Sequence, residues 1–513
     1  MTATAIVMAS RLNNTMEIEL KLLVPPAALA ALGADPLLKG VKAKRKAPKR
    51  LDNIYFDTPD RALAQARIGL RLRKDGRRWL QTVKSGGSAQ AGLHQREEIE
   101  FAVAGKALEW APLAGTPFET LLEPVWQQVV PQFRTLFTRD IRLLRGKSGA
   151  DIEVAIDQGE IIAGNRREAL CELELELKSG AVDDLFDMAI ELAGRHPLMV
   201  DNRSKAERGD ALARNLPLTA PVKAADLWLT PDANPQTIAR LAVENCLAHW
   251  QANEAGFLAQ LTGSPYDSEY LHQLRVAVRR LRVACDPLAR LAGWQTGAMA
   301  SIQEPLRKLG QQLGAARDWD VFIEETWPPL REAIDDAALR RALQEEIDMQ
   351  RDVAHLQAQA ALRGREAQRL LLQLSRCLAQ PETAPEPATS SGFGEQLDGY
   401  EHKLRHSLPE LQNLKPAKLH RLRIIAKKLR YLTEFTASLH DAGAVEPWLK
   451  WLKKAQEVLG GRNDRTTASA RINHLCKTLD ERYGKVRLTL QASLHNHPLP
   501  KLDLPPLPEP YWR

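Results

Sequence analysis

The hydrophobic period of this chain changes once along its length, and that change limits the fold more than any other feature. Up to about residue 210, apolar residues recur every second position. MEIELKL (16–22) places Glu17, Glu19 and Lys21 on one face and Ile18, Leu20 and Leu22 on the other. The same alternation recurs in GLRLR (69–73), LQTVK (80–84), REEIEF (96–101), DIEVAID (151–157) and CELELELK (171–178). Period two is the signature of a strand with one buried face, and many short strands of this kind predict an antiparallel sheet or barrel. Helical patterns interrupt near 25–33 and 183–195. From 236 onward the period becomes helical in long amphipathic runs such as QTIARLAVENCLAHWQANEAGFL and EYLHQLRVAVRRLRVACDPLARL. The fold class is therefore α+β, with a β-rich domain over 16–212 and an all-α domain over 236–495. The Pro-rich stretch 213–235 reads as a linker. A second break at AQPETAPEPATSSGFG (379–394) divides the helical half into units of about 236–378 and 394–495. The run 496–513 holds too many prolines for a helix and is expected to lie extended along the surface.

Charge is distributed unevenly along these segments. Residues 1–150 hold 24 basic and 14 acidic side chains, and residues 401–500 hold 19 and 9. Residues 151–250 reverse this, with 10 basic and 18 acidic. Blocks of one sign suggest sites that gather charge, so polyanions are the natural partners. Five scattered cysteines without CxxC spacing argue against a disulfide framework or a Cys-ligated zinc site and fit a reducing cytoplasm. No apolar run approaches the roughly 18 residues that a membrane helix needs, so no membrane partner is expected. The first residues carry too short an apolar stretch for a secretory signal.

The strand faces then become informative. Residues i, i+2 and i+4 share a face, so Glu17, Glu19 and Lys21 converge, as do Glu172, Glu174 and Glu176. Arg71 and Arg73 converge in the same way, and so do Thr82 with Lys84 and Arg96 with Glu98 and Glu100. On an ordinary half-buried sheet the charged side would meet water. Three carboxylates spaced two apart repel one another there. A hard cation such as Mg²⁺ or Mn²⁺, which takes oxygen ligands, would relieve them. No P-loop GxxxxGK[ST], HExxH or GxSxG occurs.

The ordered set ExExK (Glu17, Glu19, Lys21), YFDTPD (55–60), RLR and TVK (71–84), FTRDIR (137–142), AIDQGEI (155–161), CELELELKSG (171–180) and SKAERG (204–209) resembles the CYTH, or triphosphate tunnel metalloenzyme, superfamily. The resemblance implies an antiparallel eight-stranded barrel with acid- and base-lined walls, acting with a divalent metal on triphosphates. It assigns Glu17, Glu19, Glu172 and Glu174 to the metal, with Glu176 and Asp157 beside them. It assigns Lys21, Arg71, Arg73, Lys84, Arg139 and Lys205 to the triphosphate, with Lys21, Arg73, Lys84 and Lys205 read as catalytic. Phe137 stands where the family often has a lysine, so one cation is missing. The general base stays open between a glutamate and a lysine of the tunnel.

The helical half repeats itself. His272, Arg275, Arg279 and Arg282 recur 148 residues later as His420, Arg423, Lys427 and Arg430. LGAARD (313–318) is echoed by LGGRND (459–464). Helical offsets of 0, 3, 7 and 10 fall within roughly 80°, so each set forms one stripe. Leu271, Leu274, Val278 and Leu281, mirrored by Leu419, Leu422, Ala426 and Leu429, form the adjoining apolar face. A solvated basic face is the simpler reading of one such helix. Two copies without interleaved acids favour a binding stripe, extended by Lys308 and Lys454. This pattern resembles the CHAD domain, a duplicated helical bundle that binds inorganic polyphosphate. Asn463 in the position of Arg317 removes one cation from the second copy.

The leading expectation is a cytoplasmic, Mg²⁺- or Mn²⁺-dependent hydrolase of inorganic triphosphate that also binds polyphosphate. The alternatives are a class IV-type adenylate cyclase, another organic triphosphatase, and a non-catalytic polyphosphate-binding protein. Nucleic acid stays open as a partner, although aromatics at 5% offer little for base stacking.

Overall fold

A computed structural model of the chain describes residues 15–39, 44–85, 88–90, 92–216, 219–260, 266–291, 297–380, 391–478, 484–496 and 501–513. The chain forms two compact units. The first comprises residues up to 218 together with 363–379, and the second comprises 219–362 and 380–513.

Among the described residues the first unit holds eleven strands: β1 (Thr15–Leu23), β2 (Lys44–Arg45), β3 (Lys49–Asp57), β4 (Gly69–Asp75), β5 (Arg78–Lys84), β6 (Ser88–Gln90), β7 (Leu93–Val103), β8 (Val130–Arg145), β9 (Asp151–Ala163), β10 (Arg166–Ser179) and β11 (Met199–Val200). Every pairing is antiparallel, and the order runs β11-β1-β10-β9-β8-β3-β4-β5-β7-β6. A further pairing of β1 with β7 joins the ends of this path, so eight strands pair in a closed cycle. The expected eight-stranded antiparallel barrel is therefore present. Closure leaves those eight strands with no open edge.

The period-two sequences explain the section through the wall. On β1, Leu20 and Leu22 are fully buried on the outer side, and Leu173 and Leu175 of β10 do the same. Helix α1 (Val182–Arg195) packs against β10, with Leu185, Phe186, Ala189 and Leu192 buried. Helix α2 (Lys205–Arg214) starts at a capping box in which Ser204 and Glu207 satisfy each other's backbone N–H groups. It lies against β8 and β9. Gly209 makes this approach possible, because a Cβ there would sit 2.0 Å from the Phe133 ring.

The second unit carries α3 (Pro235–Leu258), α4 (Ser268–Val283), α5 (Gly297–Val321), α6 (Ala337–Arg363), α7 (Arg365–Ala379), α8 (Ser391–Ser407), α9 (Pro416–Thr436), α10 (Ala442–Thr478) and α11 (Gly484–Asn496), except that α7 belongs to the first unit. Within that first unit α7 packs on α1. Arg376 donates to Asp183 at 2.7 Å and to Asp187 at 2.6 Å, and Gln368 accepts the Val200 N–H at 2.8 Å. In the second unit α4 packs on α3 and α5, α9 packs on α8 and α10, and α4 touches α9. The apolar faces expected on α4 and α9 are both buried. The five cysteines are free and buried. Among the described residues, no helix is long and apolar enough to cross a membrane.

Candidate functional site

The barrel encloses a cavity of about 580 Å³. All six cations assigned to the triphosphate line it: Lys21, Arg71, Arg73, Lys84, Arg139 and Lys205. They come from β1, β4, β5, β8 and α2, which only barrel closure brings together. Glu98 of β7 steadies one side, 2.9 Å from Lys84 Nζ and 3.5 Å from Arg71. Glu100 accepts from Thr82 at 2.9 Å and lies 3.9 Å from Arg73. Arg73 also donates Nε to Asn53, which donates to Thr135. Burial, together with the neighbouring Arg71 and Arg139 charges, lowers the Arg73 guanidinium to about 10. This side of the wall carries surplus positive charge, which a polyanion would neutralise.

The carboxylates sort into two sets. Glu19 of β1, Glu176 of β10 and Glu153 of β9 are successive cross-strand partners, and all three line the cavity. Like charges directly opposite destabilise a sheet unless a cation lies among them. Lys178 lies 2.5 Å from Glu176 and Lys46 lies 3.1 Å from Glu153, so part of this charge is met by lysines. Hard oxygen donors gathered at a polar cavity fit a Mg²⁺- or Mn²⁺-type ion that keeps several waters.

The second set lies deeper. Asp157, Glu172 and Glu174 are buried with carboxylate oxygens within 4.8 Å of one another. Their centre is taken by the Lys205 ammonium, at 2.5 Å from Glu172, 2.6 Å from Glu174 and 3.0 Å from Asp157. Arg139 bonds Asp157 at 2.7 and 2.6 Å and also reaches Glu174. Arg208 pairs with Glu172 and, at 2.7 Å, with Glu168. Asp157 and Glu172 do not line the cavity, whereas Glu174 does, 4.0 Å from Lys21. Burial alone would raise the Glu174 carboxyl, but Lys205, Arg139 and Lys21 hold it well below the usual carboxylate range. Burial would lower the Lys205 ammonium, and the three carboxylates raise it well above the ordinary lysine range. The geometry thus sets Glu19, Glu174 and Glu176 at the cavity and Asp157 and Glu172 in an ion-pair floor behind it. The side chain of Glu17, like that of Arg96, lies outside the described residues.

Sequence reasoning overlooked Tyr55, Glu153 and Arg208. Tyr55 lines the cavity with its ring stacked on Phe133 at 4.6 Å. Burial opposes its ionisation, yet the Arg71, Lys205 and Arg73 charges lower it below the ordinary tyrosine value. Glu153 was visible as the residue four before Asp157 on the same strand face. Phe137, in place of the missing cation, is buried beside Tyr55 and Phe133, with Arg139 and Lys205 5.6 and 5.4 Å from its ring.

In the second unit the basic stripes do not stay continuous. Burial and the charges of Arg279, Arg423 and Arg317 lower the Arg275 guanidinium, with Asp318, 3.9 Å away, opposing them. Burial and the charges of Arg317, Arg279 and Arg275 also lower His272. These four arginines and His272 therefore form one cluster drawn from α4, α5 and α9. Arg317 and Arg471 join it from outside the predicted stripes. Arg471 lies 3.8 Å from Asp318 and 4.2 Å over the Trp319 ring. Gly314 admits the cluster, since a Cβ there would meet an Arg275 nitrogen at 2.1 Å. Arg282 faces outward beside Arg307 and Glu304, and Arg430 bonds Glu434 at 2.7 Å. Lys308, His420 and Lys454 are exposed, and Lys427 is half-buried. The side chains of Arg462, Asn463 and Asp464 lie outside the described residues.

Comparison with known proteins agrees with both halves. Family models for the CYTH domain and the CHAD domain match residues 15–209 and 241–473. An inorganic triphosphatase of Haemophilus influenzae is 39% identical over 171 residues, which are 33% of this chain and 47% of that protein. The chain thus spans about half the length of that curated relative. The crystal structure of a CHAD domain from Ricinus communis covers 55% of this chain and 99% of its own at 27% identity, with a TM-score of 0.43. A putative adenylyl cyclase from Hippeastrum, described as having a dominant triphosphatase activity, covers 38% of this chain and 96% of its own at 20% identity, with a TM-score of 0.27. The chain therefore carries a CYTH domain over residues 15–209 followed by a CHAD domain over residues 241–473.

Proposed function

We propose that the first unit hydrolyses inorganic triphosphate to diphosphate and phosphate with Mg²⁺ or Mn²⁺, and that the second unit binds inorganic polyphosphate. The observation that carries the first statement is a single cavity lined both by the six cations and by Glu19, Glu153, Glu174 and Glu176. Lys21, Arg71, Arg73, Lys84 and Arg139 bind the phosphate oxygens, the arginines with two N–H groups at a time, whereas the Lys205 ammonium, although it lines the cavity, spends its three N–H groups on Glu172, Glu174 and Asp157. Glu98 and Glu100 hold Lys84, Arg71 and Arg73 in position, which lowers the cost of orienting the phosphate chain. Glu19, Glu174 and Glu176 would hold the metal, with Glu153 beside them. A bound divalent ion supplies charge neutralisation at the phosphates. The ion-pair floor of Lys205, Asp157 and Glu172 keeps Arg139 and Glu174 fixed while a water attacks the terminal phosphorus in line.

The test is a phosphate-release panel on the full chain with tripolyphosphate, ATP and thiamine triphosphate, each with Mg²⁺, Mn²⁺ or EDTA. Tripolyphosphate is expected to turn over fastest and EDTA to abolish turnover. Cyclic AMP as the main product from ATP, or no metal-dependent phosphate release, would refute the reading. Polyphosphate binding is tested by Arg275→Gln with Arg279→Gln in the full chain, since α7 completes the first unit and a truncation before it would damage the barrel. Loss of binding with turnover retained is expected, and unchanged binding would refute it.

A further inference from the structure

The five cations assigned to the phosphate oxygens do not use up the positive charge of the cavity. Arg61, Arg67 and Arg214 line it as well. Lys21 is buried, and Arg71, Arg73, Lys84 and Arg139 are mostly covered. Arg67 and Arg214 are exposed, and so is Leu216, another lining residue. A lining residue that water also reaches marks where a cavity opens, so these arginines stand at its outer end. Lys178 is exposed and lining too, but it belongs to the carboxylate row, 2.5 Å from Glu176.

Local structure makes this outer end stiff. The Asp57 carboxylate accepts the N–H groups of Thr58, Leu63 and Ala64 at 2.7, 2.9 and 3.0 Å, and the Thr58 hydroxyl accepts that of Ala62 at 2.7 Å. The single helical turn Ala62–Gln65 is thereby capped. Arg61 precedes it at φ 69° and Arg67 follows it at φ 57°. Among the described residues, the remaining non-glycine residue with positive φ is Asn215, next to Arg214. Glycine and asparagine adopt this left-handed region readily, whereas a long side chain is disfavoured in it. Strain of this kind persists at ligand clamps. Arginine gives the local backbone nothing at 61 or 67, so what it contributes there is its guanidinium.

Charge at this end is not balanced. Asp210 of α2 accepts from Arg61 Nε at 3.0 Å and from its Nη2, and from Arg214 Nε and Nη2 at 3.2 and 2.9 Å. Two guanidiniums therefore share one carboxylate, and Arg67 adds a third positive charge. Glu207 also lines the cavity from α2, but its carboxylate turns back to the Ser204 N–H at 2.7 Å.

The geometry points to an outer phosphate subsite formed by Arg61, Arg67 and Arg214, which takes the part of a linear inorganic phosphate chain that extends beyond three phosphates. It rests on the reading of the barrel as a triphosphatase and adds which chains that barrel prefers. Asp210 keeps the Arg61 and Arg214 forks in place, and a phosphate oxygen offers the same N–H groups a charged acceptor of the same geometry. A nucleoside triphosphate carries neutral ribose and base where a fourth phosphate would lie, so the subsite favours inorganic chains over organic ones.

The test compares tripolyphosphate, tetrapolyphosphate and ATP on the full chain. Affinities are measured by calorimetry in EDTA, which needs no turnover, and initial rates are measured with Mg²⁺. The parent chain is expected to bind tetrapolyphosphate at least about tenfold tighter than tripolyphosphate. Arg61→Gln with Arg67→Gln is expected to bring that ratio close to one. Arg67→Lys is expected to keep most of the ratio. Arg67→Gly is expected to lower it without lowering the melting temperature, because glycine relieves the left-handed backbone. A parent that binds both chains equally, a ratio unchanged in the double variant, or a loss that falls on ATP relative to tripolyphosphate instead would overturn the subsite. Should the double variant fail to fold, Arg214→Gln, in the helical backbone of α2, takes its place with the same expectations. The two readings fail separately. Absence of metal-dependent phosphate release refutes the triphosphatase, while the calorimetric ratio still decides the subsite.

Discussion

Replacing Lys205 with methionine isolates the ion-pair floor of the barrel. The Lys205 ammonium lies within 3.0 Å of Glu172, Glu174 and Asp157, and all four groups are buried. Methionine keeps most of the volume and removes the charge. Glu172, Glu174 and Asp157, with Glu168 beside Arg208, then share Arg139, Arg208 and Lys21, four carboxylates against three cations, so at least one negative charge is left without compensation. Breaking a buried pair in this way costs about 3–5 kcal/mol. For a unit of roughly 200 residues that is a fall of about 6–20 °C in the melting temperature. The pH dependence gives the sharper signature. In the parent protein the Glu174 carboxyl sits well below its ordinary value, so its stabilising contribution is present above an unfolded value of about 4.3 and is lost as pH falls. In Lys205→Met the Glu174 carboxyl loses its largest counter-charge while burial still opposes its ionisation, so its titration moves up. Its protonation on acidification then relieves the variant. The gap between parent and variant is therefore largest at pH 8 and narrows toward pH 5. Calorimetry of both chains across this range measures it. A gap below about 1 kcal/mol, or one that does not change with pH, would refute the assignment of Lys205 as the counter-ion of this floor.

Glu19→Gln and Glu176→Gln remove charge from the cross-strand row. Each is expected to leave metal-free stability unchanged or raised while metal-dependent turnover falls about 100-fold or more, read by phosphate release alongside thermal melts with and without Mg²⁺. Gly209→Ala drives a methyl into the Phe133 ring and is expected to destabilise the first unit by about 1–3 kcal/mol in denaturant melts, with Gly209→Ser no better. Gly314→Ala raises intrinsic helix propensity but displaces Arg275. It is expected to keep the melting temperature while weakening polyphosphate binding and reducing its salt dependence by about one unit of slope in a salt titration.

The faces of the barrel strands were legible because side chains alternate strictly. Once Leu20 and Leu22 are assigned to the apolar side, Glu19 and Lys21 follow on the other. The basic residues of α4 were legible by the same reasoning at a helical period. Arg282 and Arg430 show where that reasoning stops. A stripe is defined along one helix axis, whereas a site is defined by neighbouring helices, and these two arginines find Asp286 and Glu434 as local acidic neighbours instead. Arg471 carries no periodic signal that marks it, and only packing against Trp319 brings it to the cluster.

Local period and the ordered motifs determined the α+β class, the antiparallel strands and the six cations that line the cavity. Those properties depend on residue types at short spacing, which a sequence records directly. Which carboxylates face the cavity and which serve as counter-ions for Lys205, Arg139 and Arg208 was decided by tertiary structure alone. Glu172 and Glu174 are two apart on the same face of one strand, yet they differ because β1, β8, β9 and α2 set different neighbours around each. The placement of α7 in the first unit and the seating of residues 502–513 on Trp448 and Trp451 were decided in the same way, by partners distant along the chain.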